Sequence, residues 1–91
     1  MARIILTDNT PTLIQDTTGP DSLAPQVLGP SDVLLLRTTS ATAPTNWDGA
    51  YRVSSPKAGR HVEPFPVYGL AGFHLWAISV GGPSTILDGD A

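Results

Sequence analysis

Nine prolines and nine glycines punctuate this 91-residue chain closely enough that no helix longer than about two turns is expected. Proline removes a backbone donor and clashes with the preceding helical turn. Glycine inside a helix costs about 1 kcal/mol relative to alanine. What lies between these breakers reads as short β-type segments: 3–7, 12–16, 24–28, 32–38, 50–53, 60–67, 73–80 and 85–87. Asp8-Asn9-Thr10-Pro11, Gly19-Pro20-Asp21, Asp48-Gly49 and Gly81-Gly82-Pro83 supply turns, and Gly29-Pro30-Ser31 reads as a tight reversal. Pro64 and Pro66 demote 60–67 to an edge strand or extended arm. Residues 38–46 read as a long loop, and the tail from Asp88 to Ala91 is expected to fray.

Strands at intervals of roughly ten residues predict one all-β domain, a small antiparallel β-sandwich of about eight short strands, jelly-roll-like in one variant. Ninety-one residues leave no room for a second domain. A chain of this length buries only about 60–65% of its unfolded surface, so its own core is thin. With no cysteine, neither disulfides nor thiolate–metal sites reinforce it. The remaining routes are tight packing or completion by other subunits.

Two segments favour completion by others. In 73–80 one face carries Phe73, Leu75, Ala77 and Ser79, and the other His74, Trp76, Ile78 and Val80. Val33-Leu34-Leu35-Leu36 is likewise apolar on both faces. A strand with one wet face alternates, and these do not. No helix covers a second side, so copies of the chain or a partner are expected to do so. The candidate assembly residues are Ile4, Leu6, Leu34, Leu36, Phe73 and Leu75, and the edge segments 3–7 and 60–67 are the ones to cross between subunits. A charged fraction of 14%, against roughly 25% in ordinary domains, fits permanent protein contact. The ten threonines and seven serines also suit strands in their own right.

Other functions lack their signals. Arg3, Arg37, Arg52, Lys57 and Arg60 form no basic run, so nucleic-acid binding has no electrostatic term. The net charge is −3. The apolar run 33–36 is far short of the roughly 20 residues a membrane span needs. Ile4-Ile5-Leu6 is too short for a signal-peptide core, and Met1-Ala2 reads as the start of an unprocessed cytoplasmic product. His61 and Glu63 share a strand side and with His74 could form a two-histidine, one-carboxylate site, but an exposed edge and a hydrogen-bonded rim histidine explain them as well. Asp88-Gly89-Asp90 lacks the remaining ligands of a calcium loop. No serine sits in a Gly-x-Ser-x-Gly elbow, and the glycines match no phosphate or dinucleotide loop. The expectation is a non-enzyme without metal or cofactor. Trp47, Tyr51 and Tyr68 are the candidate binding residues, with Trp47 just before the Asp48-Gly49 turn. Trp76 is read as core.

The stretch Gly72-Phe73-His74-Leu75-Trp76-Ala77-Ile78-Ser79-Val80-Gly81-Gly82, followed by a short final strand, resembles the C-terminal end of small bacteriophage virion proteins. There a Leu-Trp-Ala-x-Ser strand runs into a glycine turn and a last hydrophobic strand. The opening Arg3-Ile4-Ile5-Leu6-Thr7 and the run from Val27 to Val33 fit the same layout, so the resemblance covers about half the chain. It implies a β-sandwich subunit of a virion, made in the host cytoplasm: a head decoration, head-fibre base or tail accessory protein, normally multimeric. Its partners would be copies of itself and other virion proteins. No site residues come with it. A second reading, a carbohydrate- or protein-binding module using Trp47 and Tyr51, stays open beside it. In either case EDTA should leave the melting temperature unchanged. A fall of several degrees that zinc or calcium reverses would restore the site at His61, Glu63 and His74.

Overall fold

The computed structural model describes residues 3–19, 21–54 and 66–87. They contain five strands and no helix: β1 (Arg3–Leu6), β2 (Thr12–Gln15), β3 (Gln26–Thr38), β4 (Tyr51–Val53) and β5 (His74–Leu87). All named pairings are antiparallel and form one sheet in the order β1-β5-β3-β4, with β2 also on β5. β1 pairs with residues 84–87 of β5, and β2 with residues 75–77. The single long pair β3/β5 is therefore the frame to which the three short strands attach.

The all-β expectation holds for the described residues, but the strand count differs for a physical reason. Segments 24–28 and 32–38 are one strand, β3, and 73–80 and 85–87 are one strand, β5. Residues 60–65 and 88–91 lie outside the described residues, and of the arm only Val67 is placed in a pairing, a single bridge to Leu23. Gly29-Pro30-Ser31 does not reverse the chain. A reversal would pair 24–28 with 32–38. Instead both flanks pair with β5, and Gly29 and Pro30 stand in register with Thr85 and Ser84.

What both strands do at this point is bend. Fourteen residues of straight strand would reach about 43 Å at roughly 3.3 Å each, against an extent of 37 Å along the molecule's long axis. Between Pro30↔Ser84 and Asp32↔Val80, the three residues Gly81, Gly82 and Pro83 face Ser31 alone. A bulge of this kind leaves residues unpaired and kinks the strand. Gly82 has φ +139, and a Cβ there would lie 2.9 Å from Ser31 Oγ, so backbone geometry and space both require glycine. The Ser84 hydroxyl donates to Ser31 O at 2.7 Å, and Gly82 N donates to Asp8 Oδ1 at 2.9 Å. The corner is thus stitched by hydrogen bonds where apolar packing is absent.

The extra residues also change the inward parity of β5. Before the corner Leu75, Ala77 and Ser79 are fully buried; after it the buried positions are Ser84 and Ile86. One core collects Leu75, Ala77 and Ile86 with Val27, Val33 and Leu35 of β3, Leu6 of β1, and Leu23, Val67 and Leu70 from loops. Both halves of the bent sheet serve that single core. Trp76 and Ile78 belong to the opposite face and are still only 8% and 6% exposed. Trp76 is buried as expected, but outside the main core cluster. We expect Trp76→Ala to cost about 3–5 kcal/mol, a large share of a small domain's stability. A thermal melt within a degree or two of the parent would show that this second face contributes nothing.

Candidate functional site

The ladder register places the side chains of the outer face. Across the sheet run Leu13 (β2), Trp76 (β5) and Leu36 (β3), and beside them Ile78, Leu34 and Arg52. Arg52 forms an ion pair with Asp32 at 2.9 Å, and Asp32 stands opposite Val80. This outer face is an apolar band with one charged pair at its β4 end. The pair is largely exposed on the arginine side and contributes little to stability. Leu13 and Val80 are partly open to solvent, and Leu34 and Leu36 are half-buried.

Next to the band, Ser40 and residues 42–46 line, with Leu36 and Thr38, an open cavity of about 440 Å³. Thr38 Oγ1 donates to Ser40 O, and Thr42 N donates to Ser40 Oγ, which shapes the start of this loop. Opposite Leu36 and Thr38 stand Trp76 and His74, whose Nε1 and Nδ1 are buried without a hydrogen-bond partner among the described residues. The hydrogen-bonded rim expected for His74 is therefore not what this nitrogen has.

A second arrangement lies at the end of the sheet near Arg37. Arg37 follows Val33 and Leu35 on the inward parity, opposite Leu75. Its guanidinium carbon lies 4.7 Å from the Phe73 ring centroid, and Nη1 donates to Tyr68 O at 3.3 Å and Gly69 O at 3.0 Å. Asp21 holds the same loop from the other side: its carbonyl accepts from Leu70 N at 2.7 Å and its carboxylate from Ala71 N at 3.0 Å. Held so, the loop turns Leu70 into the core and leaves Tyr68 71% exposed. Neither Arg37 nor Asp21 was singled out by the sequence. A lone cation in the inward row of an apolar strand was the available signal for Arg37; Asp21 had none beyond its place in a turn.

The expected site residues separate accordingly. Tyr51 is half exposed on β4 and Tyr68 is exposed on its loop, while Trp47 is half-buried and its carbonyl accepts from Ala50 N to close the turn before β4. Tyr68 lies on the loop before β5, whereas Trp47 and Tyr51 belong to the turn before β4 and to β4 itself. Of the assembly candidates, Leu6 and Leu75 are fully buried in the chain's own core and offer nothing to a neighbour. Ile4 packs against that core, and Phe73 lies under Arg37. The reason is parity: these side chains point inward, whereas Ile5, one position from Ile4 and Leu6, Leu13 on β2 and Val80 farther along β5 carry exposed apolar surface. Leu34 and Leu36 remain on the outer face.

His61 and Glu63 lie outside the described residues, and among the described residues no three of His, Asp and Glu gather to hold a metal. Both fully buried serines donate their hydroxyls to backbone carbonyls, Ser79 to Thr7 O and Ser84 to Ser31 O. In comparisons with known proteins, no family model, curated protein or solved structure matches the chain.

One titration is set by local geometry. Thr18 donates to Asp16 Oδ1 through both its hydroxyl, at 2.6 Å, and its backbone N–H, at 2.9 Å. Both bonds favour the carboxylate, and His74 adds a smaller attraction, so the Asp16 carboxyl titrates below its ordinary 3.8. The stabilisation is present above that value and is lost as pH falls through the lowered one. Thr18→Val removes the hydroxyl bond and should move the Asp16 midpoint upward in a carboxyl NMR titration. An unchanged midpoint would contradict the assignment.

Proposed function

We propose that this chain is a non-enzymatic virion structural protein that assembles with copies of itself and binds a capsid or tail surface as a decoration or accessory protein. The observation that carries the reading is the apolar outer face of β3 and β5, where Leu34, Leu36, Trp76 and Ile78 lie on the side of the sheet away from the main core cluster. In this reading the two halves of the bent sheet act as the walls of a small sandwich, and the outer face meets neighbouring protein. Completing the burial of Ile5, Leu13 and Val80 would contribute on the order of 2–4 kcal/mol together. That is no more than the low end of the roughly 4–15 kcal/mol that association costs, so a lone weak contact does not suffice. Repeated contacts on a lattice raise the effective concentration of each and fit a particle surface.

A second reading is favoured by the exposure of Tyr51 and Tyr68: a binding module for carbohydrate or protein, with aromatic rings presented at the sheet end and Trp47 beside Tyr51 in sequence. Light scattering coupled to size exclusion at micromolar concentration, with cosedimentation against particles from the same source, tests the first. The expected result is an assembly that pellets with the particle. A monomer that binds no particle but is retained on a glycan array, and loses that retention in Tyr51→Ala, would replace it with the second.

A further inference from the structure

We propose that β1 is a self-pairing edge, through which a second copy of this chain joins the sheet antiparallel about a two-fold axis at Ile5; the proposal rests on the self-assembly reading above. Among the described residues β1 bonds only to β5 and stands at the end of the strand order, so no described strand pairs with its other edge. Edges of natural sheets are usually blunted by proline, lysine, an inward charge or a bulge. Arg3-Ile4-Ile5-Leu6 carries none of these along its length, only an arginine at its start. Its outward residue Ile5 is 73% exposed, the most exposed large hydrophobic side chain among those described.

Register narrows the pairing. Ile4 and Leu6 face inward opposite Ile86 and Ser84, whereas Arg3 and Ile5 face outward opposite Leu87 and Thr85. Antiparallel partners lie on the same face, so a self-pairing centred between Ile4 and Ile5 would set an inward residue against an outward one. Centred on Ile5, it sets Ile5 against Ile5, Ile4 against Leu6 of the second copy, and Arg3 against Thr7. Every face is preserved, and the inward row of one subunit continues into the next. Charge agrees: Arg3 at one end of the edge comes beside Thr7 and Asp8 at the opposite end of the other strand, whereas a parallel pairing would stack arginine on arginine. Asp8 Oδ1 accepts from Gly82 N, and a carboxyl group offers further acceptor sites beside that bond. A two-fold contact is also the commonest closed symmetry.

The absence of cysteine makes the test clean. Antiparallel partners have Cα atoms about 4.5 or 5.5 Å apart, within the roughly 4.4–6.8 Å that a disulfide spans. Under mild oxidation at micromolar concentration, Ile5→Cys should convert mostly to a covalent dimer, while Leu13→Cys, exposed on β2, should not. Ile5→Lys, with an unchanged far-ultraviolet spectrum, should halve the assembled mass or reduce it to the monomer. If the parent assembles but Ile5→Cys links no better than Leu13→Cys and Ile5→Lys keeps the parent mass, the edge is wrong and self-assembly stands. A parent that is monomeric throughout would overturn both.

Discussion

Everything in this fold depends on one corner, where three residues of β5 face a single residue of β3. Without it the two longest strands would form a straight ribbon too long for the molecule and unable to enclose a core. With it, the inward side chains of both halves converge on one cluster, and β1 and β2 find separate stretches of β5 to pair with. The corner cannot be filled with apolar side chains, since glycine backbone occupies the space. Its polar groups are satisfied instead by Ser31, Ser84 and the Asp8 carboxylate, with Ser79 bonded to the adjoining Thr7–Asn9 segment. An unsatisfied group here would cost about 1–3 kcal/mol, so these short polar side chains are structural in the same sense as the leucines.

The corner also explains why the chain has two apolar faces and uses them differently. The inner face wraps a core built from both halves. The outer face of the 32–38 and 74–80 halves carries Leu34, Leu36, Trp76 and Ile78, of which Trp76 and Ile78 are already nearly covered. What stays open is at the margins: Leu13 on β2, Val80 at the bend and Ile5 on β1. A surface with apolar margins, and with edges that no described strand pairs, is arranged for sideways contact. That arrangement supports assembly more directly than it supports a cleft for a small molecule.

The candidate site was legible in part. The apolar character of both strand faces could be read directly from Val33-Leu34-Leu35-Leu36 and from 73–80. Which face was which could not, because parity is set by pairing partners and is shifted by bulges. Leu6 and Leu75 were therefore expected at an interface and are core, while Ile5 and Leu13 were passed over and are exposed. Tyr51 and Tyr68 were identified by type alone; their exposure follows from an edge position and from the Arg37 and Asp21 bonds that hold the 66–73 loop.

By itself the sequence determined the class of structure: frequent proline and glycine disfavour long helices, and β-branched and leucine-rich segments between them make strands. It also determined that no disulfide could relieve the thin core. Only the tertiary structure decided how many strands those segments become. Gly29-Pro30-Ser31 and Gly81-Gly82-Pro83 have the composition of turns, and each alone would reverse a chain. Set against one another they become a paired bend, because the flanking segments gain more hydrogen bonds and buried area from the long β3/β5 ladder than from folding back on their neighbours. Local composition marks where a backbone can deviate, and long-range pairing selects whether it turns back or bends.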